Sequence, residues 1–369
     1  MNMALPEQYL SSQQAFKAYM AQVAEQVASF LREDMAARAN SVPEHLRDTA
    51  DSYLRQPGKC LRPALLQLCC AAAGGDARAA LPAAAAVEVF HTWTLVHDDI
   101  IDHDAFRRGK PTAHVLGAEL GRQRWGLTDA AAADYGVSLA ILAGDLLQGR
   151  ALSLLASVPA RPELVLALTR YMSDWLTPEL LAGEQLDVEL SHCPWEEISE
   201  ENIITMMQQK TGALLAFCAS TGVALAEERR PQDSPAARAM GRCAQLCGLA
   251  FQIQDDLLGL SGEEVSFGKP IGSDIREGKR TMVMLRAMSQ CSDAERRLLT
   301  GILGNADASD EDIAAVRDVV IRSGSDVYAR ECSERYLAEA RQVLDNTLRP
   351  SSERDLLHSW IMAMVRRNR

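Results

Sequence analysis

The stretch 95–102, LVHDDIID, follows an apolar run with helical spacing over residues 83–96. Residues i and i+4 lie on one face of a helix, so the carboxylates of Asp98 and Asp102 converge, with Asp99 beside them. Three carboxylates on an apolar wall are costly unless a cation neutralises them. Magnesium commonly combines one or two carboxylates with substrate phosphates. The pattern predicts a magnesium and phosphate site at a helix end, with a solvated acidic helix end as the alternative.

A second pair of carboxylates, Asp255 and Asp256, ends another apolar helical run 157 positions after Asp98. The position four residues beyond Asp255 is Gly259, so this pair lacks a third carboxylate. Two such helix ends in one chain favour two walls of a single metal and diphosphate site. A solvated helix end is again the alternative.

Short basic groups complement these acidic clusters. They are Lys59 and Arg62, Arg107 and Arg108, Lys210, Lys269 and Lys279. Arginine presents a fork that matches phosphate oxygens, and lysine adds a point charge. Any one of them alone is more often an ordinary surface charge. In a chain of net charge −12 their positions beside paired aspartates indicate diphosphate ligands.

Helical periodicity dominates the 369 residues, and alternating β-branched runs are almost absent. Glycine and proline breakers divide the chain into about ten to thirteen helices. No composition shift marks a boundary, so we expect one large all-α domain. The longest irregular segments are expected at 106–136 and 259–278, and Thr177 with Pro178 should interrupt a helix.

Composition excludes several classes of protein. The 38 basic and 50 acidic residues argue against nucleic-acid binding through bulk charge. No window approaches 18 uninterrupted apolar residues, so we expect no membrane insertion. The first residues lack the features of a secretory signal, which predicts a cytoplasmic protein. Nine cysteines, an odd number in mostly apolar helical context, are interpreted as reduced core residues.

The ordered combination of motifs is more specific than any single one. It comprises GKxxRP at 58–63, LVHDDIID at 95–102, RRG at 107–109, KT at 210–211, FQxxDD at 251–256 and GKP at 268–270. In this combination the chain resembles the trans-isoprenyl (polyprenyl) diphosphate synthases, most closely the geranylgeranyl type. The resemblance implies a single helical bundle of the class I isoprenoid synthase type over residues 1–369, of which 1–20 could be flexible.

The resemblance also implies roles for individual residues. About three magnesium ions per active site would bind Asp98, Asp99 and Asp102 from one side, and Asp255 and Asp256 from the other. The allylic diphosphate would contact Arg107, Lys210 and Lys269, with Thr211, Gln252 and Lys279 as further contacts. The diphosphate of isopentenyl diphosphate would be held without metal by Lys59, Arg62, His91 and Arg108. A homodimer is implied as well.

The implied reaction suits these residue types. Magnesium and the cations neutralise the departing diphosphate, so the allylic C–O bond ionises to a carbocation that the isopentenyl double bond attacks. No nucleophile constellation is needed, and none stands out. Two departures from the family pattern are Gly259, where a third aspartate is common, and Cys60, where many relatives carry arginine.

Product length is predicted from the helix that precedes the first aspartates. In the family the product grows down an apolar tunnel beneath these aspartates, and bulky residues one turn upstream form its floor. Trp93 and Thr94 stand five and four residues before Asp98. This combination resembles short-chain synthases and predicts a twenty-carbon product, with fifteen carbons next. Simple core packing of Trp93 is the alternative.

Two other functions fit parts of the pattern. A class I terpene cyclase shares the fold and the first aspartate motif, but it has no second diphosphate for Lys59, Arg62, His91 and Arg108 to hold. A non-catalytic partner subunit would retain the fold, and only Gly259 supports that interpretation. Asp145, Asp187 and the C-terminal Arg366, Arg367 and Arg369 remain open between structural and functional roles.

Overall fold

The computed structural model describes residues 7–55, 58–261 and 272–365, and its regular structure there is almost entirely helical. The all-α prediction is confirmed. The helices are α1 (Glu7–Ala37), α2 (Glu44–Asp51), α3 (Leu61–Ala72), α4 (Leu81–Ile101), α5 (Ala113–Trp125), α6 (Asp129–Ala156), α7 (Pro162–Arg170), α8 (Thr177–His192), α9 (Glu200–Met207), α10 (Ala213–Glu227), α11 (Pro235–Ser261), α12 (Ser273–Arg276), α13 (Met282–Gln290), α14 (Asp293–Ile302), α15 (Asp310–Arg322), α16 (Ser325–Thr347) and α17 (Ser352–Val365). Two short strands, β1 (Phe106–Arg107) and β2 (Lys110–Pro111), form an antiparallel hairpin.

The irregular segment predicted over 106–136 is wrong, because α5 and the start of α6 lie within it. Glycines inside this segment serve helix packing. A methyl group at Gly117 would lie 3.0 Å from the Cα of Gly136, and one at Gly121 would lie 2.9 Å from the ring of Tyr135. These glycines let α5 and α6 approach closely.

The interruption predicted at Thr177 and Pro178 is confirmed. The α-helical pattern ends at Arg170, one π-helical turn covers Tyr171–Leu176, and α8 begins at Thr177. Proline lacks the N–H that would continue the helical ladder, and the first turn of a new helix tolerates it best.

The chain falls into two compact units. Unit 1 contains residues 1–173, 218–238 and 349–360, and unit 2 contains 174–217, 239–348 and 361–369. The expectation of one domain over 1–369 stays a prediction. So does the flexibility expected for 1–20, although α1 begins at Glu7 within that stretch.

Within unit 1, α4 packs along α6 and against α3, while α5 and α2 also pack on α6. Four consecutive alanines of α4, residues 83–86, are fully buried. Small side chains let neighbouring helices come close, which places the C-terminal end of α4 firmly beside α6. This end carries the first acidic motif.

Within unit 2, the apolar core gathers side chains from α9, the middle of α11, α13, α15 and α16. Ile253 and Leu257 of α11 are among its buried members. They alternate along α11 with Gln252, Asp255 and Asp256, which are only partly buried. Core packing on one face of α11 therefore directs the second acidic motif away from the core.

Among the described residues, α6 alone is long and apolar enough to span a membrane, and half of its most apolar window is buried inside the protein. A buried core helix has these same properties. Seven of the nine cysteines are buried, as the sequence predicted, whereas Cys193 and Cys291 are half-buried.

Candidate active site

The first acidic motif forms the last turn of α4 in unit 1. The backbone N–H of Asp102 donates to the carbonyl of Asp98 at 2.8 Å, so helical spacing continues to Asp102. Asp98 and Asp102 therefore share a face, as predicted. Asp99 is fully buried, whereas 21% of the Asp98 side chain is exposed.

Two side chains hold the buried carboxylate of Asp99. Arg107, on the hairpin after α4, donates from Nε to Oδ1 at 2.6 Å, and its Nη2 lies 3.3 Å from Oδ2 of Asp98. The hydroxyl of Tyr53 donates to the other oxygen of Asp99 and accepts the N–H of Ala113 at 3.2 Å. Burial raises the pKa of Asp99, while Arg107 and Tyr53 oppose that rise. Sequence reasoning missed Tyr53 because nothing local links it to α4.

A cleft of about 260 Å³ lies beside this motif in unit 1. Its ionisable lining residues are Arg55, Glu88, His91, Arg107, Arg108 and Lys110, and Leu95, Pro111 and Leu116 contribute apolar surface. His91 and Arg108 were both predicted to bind a diphosphate. Arg62 lies in the first turn of α3, and Lys59 lies two residues before that helix begins. The lining is rich in cations and contains one carboxylate, which suits an anion bound without metal.

His91 is neutral and orients Arg62. Burial lowers the pKa of His91 well below its usual value, and the positive charges of Arg62 and Arg108 add to this effect. Its Nε2 lies 3.0 Å from Nη1 of Arg62, which donates to it. Thr94, a predicted product-length residue, donates its hydroxyl to the backbone carbonyl of His91 at 2.8 Å.

Glu88 is a buried carboxyl in the apolar part of α4 that sequence reasoning also missed. Burial raises its pKa, and the nearby charges of Arg62 and Arg108 oppose the rise. Gly58 lies directly against Arg108, because a methyl group at Gly58 would come 2.6 Å from Nη2. Glu88 is the only charged residue between Leu81 and Val96, which is the signal that could have identified it.

Lys210 is held between two carboxylates in unit 2. It lies in a π-helical turn, Gln208–Gly212, with its Nζ 2.7 Å from Asp187 and 2.9 Å from Glu184 of α8. A methyl group at Gly183 would lie 2.3 Å from the backbone nitrogen of Lys210. Gly183 thus lets α8 and the π-helical turn approach each other. The sequence alone left the role of Asp187 open, and in the structure its partner is Lys210.

The second acidic motif is crowded with carboxylates. Burial raises the pKa of Asp256 well above its usual value, and the charges of Asp274 and Asp255 raise it further. One oxygen of Asp256, Oδ2, is buried and accepts no hydrogen bond from the described residues. Lys279, in the loop after α12, lies 3.8 Å from Asp274 and 3.1 Å from Glu277. A buried carboxylate oxygen without a donor fits a divalent cation.

The space beside Gly259 belongs to Asp274. A methyl group at Gly259 would lie 3.0 Å from Oδ2 of Asp274. Because this motif has glycine at the position where a third aspartate is common, the carboxylate of Asp274 on α12 comes close to the backbone there. Within the described residues, no three His, Cys, Asp or Glu side chains converge closely enough to hold a metal ion by themselves. A cation there would complete its coordination with diphosphate oxygens and water, which is how magnesium usually binds.

The remaining predicted residues are placed as follows. Trp93 is buried in α4, with its ring edge-on to Phe90 at 4.8 Å and to His97 at 5.9 Å. Thr211 lies in the π-helical turn, and Gln252 lies on α11. Lys269 and the C-terminal arginines fall outside the described residues.

Comparison with known proteins gives the family. A family model described as "Polyprenyl synthetase" matches residues 43–320, which is most of the chain. The chain belongs to the polyprenyl synthetase family. This confirms the resemblance drawn from the motifs, including the enzyme class, and nothing in the comparisons favours a terpene cyclase or a non-catalytic subunit.

Individual relatives agree with this membership. A geranylgeranyl diphosphate synthase of Sulfolobus acidocaldarius is 34% identical over 303 residues, covering 81% of this chain and 82% of the relative. A geranylfarnesyl diphosphate synthase of Aeropyrum pernix is 30% identical, over 88% of this chain and 95% of the relative. The crystal structure of a geranylgeranyl pyrophosphate synthase from Corynebacterium glutamicum, complexed with isoprenyl diphosphate and magnesium, matches with a TM-score of 0.82 and 28% identity, over 95% of this chain and 99% of that one.

Proposed function

We propose that this polyprenyl synthetase condenses isopentenyl diphosphate with an allylic diphosphate and gives geranylgeranyl diphosphate as its main product. The observation that carries the proposal is the cation-lined cleft beside the first aspartate motif in unit 1. A prenyltransferase must hold two diphosphates, and only the one that departs needs metal. A cyclase holds one diphosphate and has no use for a second anion site of this kind.

Isopentenyl diphosphate would bind in this cleft through Lys59, Arg62, His91 and Arg108. The neutral imidazole of His91 accepts from Arg62 and so directs the remaining guanidinium donors toward the ligand. The positive charges of Arg62 and Arg108 oppose the rise that burial causes in the pKa of Glu88, so this carboxyl and the two arginines are electrostatically linked. Arginine in a fixed orientation loses little entropy on binding phosphate oxygens, which favours tight binding of the nucleophilic substrate.

The allylic diphosphate would be bound through a divalent cation and through direct cationic contacts. The relative from Corynebacterium glutamicum contains magnesium with isoprenyl diphosphate, which supports a divalent metal here. We propose that Asp98, Asp99, Asp102, Asp255 and Asp256 hold about three such ions. Arg107, Lys210 and Lys269 would contact the diphosphate directly, with Thr211, Gln252 and Lys279 as further contacts.

The bound metal would supply the positive charge that stabilises the departing diphosphate. The chain's own residues prepare this step. Tyr53 and Arg107 hold both oxygens of the buried Asp99, and Arg107 also contacts Asp98, so this end of α4 is fixed before the substrate binds. Asp187 and Glu184 hold the ammonium group of Lys210 in position. The apolar surface around Leu95 and Trp93 keeps water from the carbocation.

We further propose that Trp93, with Thr94 beside it, ends the product tunnel at twenty carbons. Trp93 is buried one helical turn before the aspartates. An indole there leaves less room than an alanine or valine would, and large apolar side chains set chain length by volume. The protein would act as a homodimer in the cytoplasm, where nine free thiols stay reduced.

A binding experiment tests the separation of the two diphosphate sites. Isopentenyl diphosphate is titrated into the protein in a calorimeter with EDTA and then with magnesium. We expect similar affinity in both, because the cleft binds the ligand through side chains alone. Arg108→Ala should weaken this binding by about tenfold or more, while the surface variant Arg124→Ala leaves it unchanged. Binding that requires magnesium would contradict the assignment of the cleft.

A further inference from the structure

Trp93 is positioned by packing alone. Its side chain is 4% exposed, and its Nε1 is buried with no hydrogen-bond partner in the described part of the chain. Two rings meet it edge-on, that of Phe90 about one turn before it and that of His97 about one turn after it. The ring of His97 lies 5.9 Å from Trp93 at an interplanar angle of 72°. Because no hydrogen bond fixes the indole, its orientation depends on these ring contacts.

His97 is in turn positioned by the bare backbone of α6. Its Nε2 lies 3.4 Å from the carbonyl oxygen of Ile141. A methyl group at Gly144 would lie 2.0 Å from Nε2 and 2.5 Å from Cδ2 of His97. No side chain other than hydrogen fits between the imidazole and α6 unless the imidazole moves.

The glycine is needed here for space and not for backbone conformation. Gly144 lies inside the regular helix α6 and does not adopt a positive φ. Glycine inside a helix is less favourable than alanine, so the position carries a helix-weakening residue whose one clear effect is to admit the ring of His97. Gly149, five residues later on the same helix, has open space where a methyl group would stand.

We infer that Gly144 determines product length indirectly, by seating His97 against α6 and thereby fixing Trp93. This inference rests on the proposed prenyltransferase function and extends the length-determining machinery from α4 to α6. Gly144 and His97 are positioning residues. A methyl group at position 144 displaces the imidazole, the edge-on contact with Trp93 is lost, and the displaced rings take up space in the tunnel below the aspartates.

The test compares the ratio of fifteen- to twenty-carbon products made from isopentenyl diphosphate and an allylic starter. Gly144→Ala should raise this ratio about tenfold, because the displaced rings reduce the room for the product and a change of about one methyl group in that room is worth that much discrimination. Gly149→Ala, the matched control on the same helix, should change it by less than about twofold. In the background His97→Ala, the further change Gly144→Ala should lose its effect, since the methyl group then meets no ring.

The outcomes separate the inference from the function on which it rests. An unchanged product ratio in Gly144→Ala, or a shift that persists undiminished in the His97→Ala background, overturns the inference while elongation continues. No elongation by the wild-type protein would instead overturn the proposed function. If Gly144→Ala does not fold, His97→Ala alone decides, because loss of the ring contact should broaden the product range, and an unchanged range contradicts the inference.

Discussion

At the scale of single residues, Asp98 is a partly exposed carboxylate of the first acidic motif. Its side chain is 21% exposed, whereas Asp99 is buried beneath Arg107 and Tyr53. Asp98→Ala should reduce turnover by about 100-fold or more, because transition-state charge stabilisation is lost, while thermal unfolding stays near that of the wild type. Steady-state kinetics and calorimetry check this. Near-normal turnover would contradict the metal assignment, and the exposed Asp134→Ala serves as control.

Asp256 predicts a pH dependence of stability. Its pKa is raised in the folded protein by burial and by Asp274 and Asp255. A carboxyl with a raised pKa binds its proton more tightly when folded, so the folded state loses stability as the pH rises above about 4 toward that raised value. Without divalent cations, Asp256→Asn should therefore be more stable than the wild type at pH 7 and similar at pH 4.

Urea unfolding in EDTA at the two pH values measures this difference, which we expect to be about 1–3 kcal/mol at pH 7. Asp134→Asn, an exposed aspartate of α6, is the matched control and should show no such difference. Equal stability of Asp256→Asn and the wild type at pH 7 would mean that the carboxylate crowding around Asp256 has no energetic cost.

The charged residues of the site were predictable where their role follows from the spacing of neighbouring residues in the sequence. Spacing i, i+4 identified Asp98 and Asp102, and helical continuation to Asp102 confirms their common face. Tyr53 and Glu88 were not predictable. The role of Tyr53 arises from its contact with Asp99, 46 residues away, and that of Glu88 arises from its burial. Local pattern carries no information about such partners.

At the scale of elements, the contact between α8 and the π-helical turn Gln208–Gly212 positions Lys210. A methyl group at Gly183 would meet backbone atoms of Gln209 and Lys210, which cannot swing aside. Gly183→Ala should therefore lower the free energy of unfolding by about 1–3 kcal/mol despite the better helix propensity of alanine, and it should reduce kcat by displacing Lys210.

Urea unfolding and steady-state kinetics measure both effects. Gly149→Ala supplies the control, since its methyl group meets nothing and should leave stability unchanged or slightly increased. A Gly183→Ala variant as stable and active as the wild type would show that α8 and the turn adjust without consequence.

Helix interruptions were predictable from sequence only where backbone chemistry forces them. Pro178 indicated an interruption before α8, because the backbone nitrogen of proline cannot donate a hydrogen bond. The role of Gly117 and Gly121 was not predictable, since a glycine that ends a helix and a glycine that admits a neighbouring helix look alike in sequence. Only the partner surfaces, Gly136 and Tyr135, distinguish the two cases.

At the scale of the whole molecule, we expect two copies of the chain to associate. Ile141 and Leu142 on α6 are 44% and 55% exposed, and adjacent exposed apolar side chains favour an interface. Light scattering coupled to size-exclusion chromatography should give about twice the 40.3 kDa mass of one chain. A mass of 40.3 kDa at micromolar concentration would contradict the homodimer.

The fold class was predictable because helix formers and 3.6-residue periodicity extend over nearly the whole chain. The ordered motifs from GKxxRP at 58–63 to FQxxDD at 251–256 then indicated the family that the comparison confirmed. Product length is harder to predict. It depends on how tightly Trp93 is held, and that in turn depends on contacts between α4 and α6 that periodicity does not reveal.

The most direct test of the account is to incubate the purified protein with magnesium, isopentenyl diphosphate and, separately, five-, ten- and fifteen-carbon allylic diphosphates. Mass spectrometry reads the length of the products. We predict a linear twenty-carbon diphosphate from each starter, formed only when isopentenyl diphosphate is present. A fifteen-carbon end point would keep the reaction and refute the floor assigned to Trp93. A cyclic hydrocarbon from an allylic diphosphate alone, or no product from folded protein, would contradict the central claim.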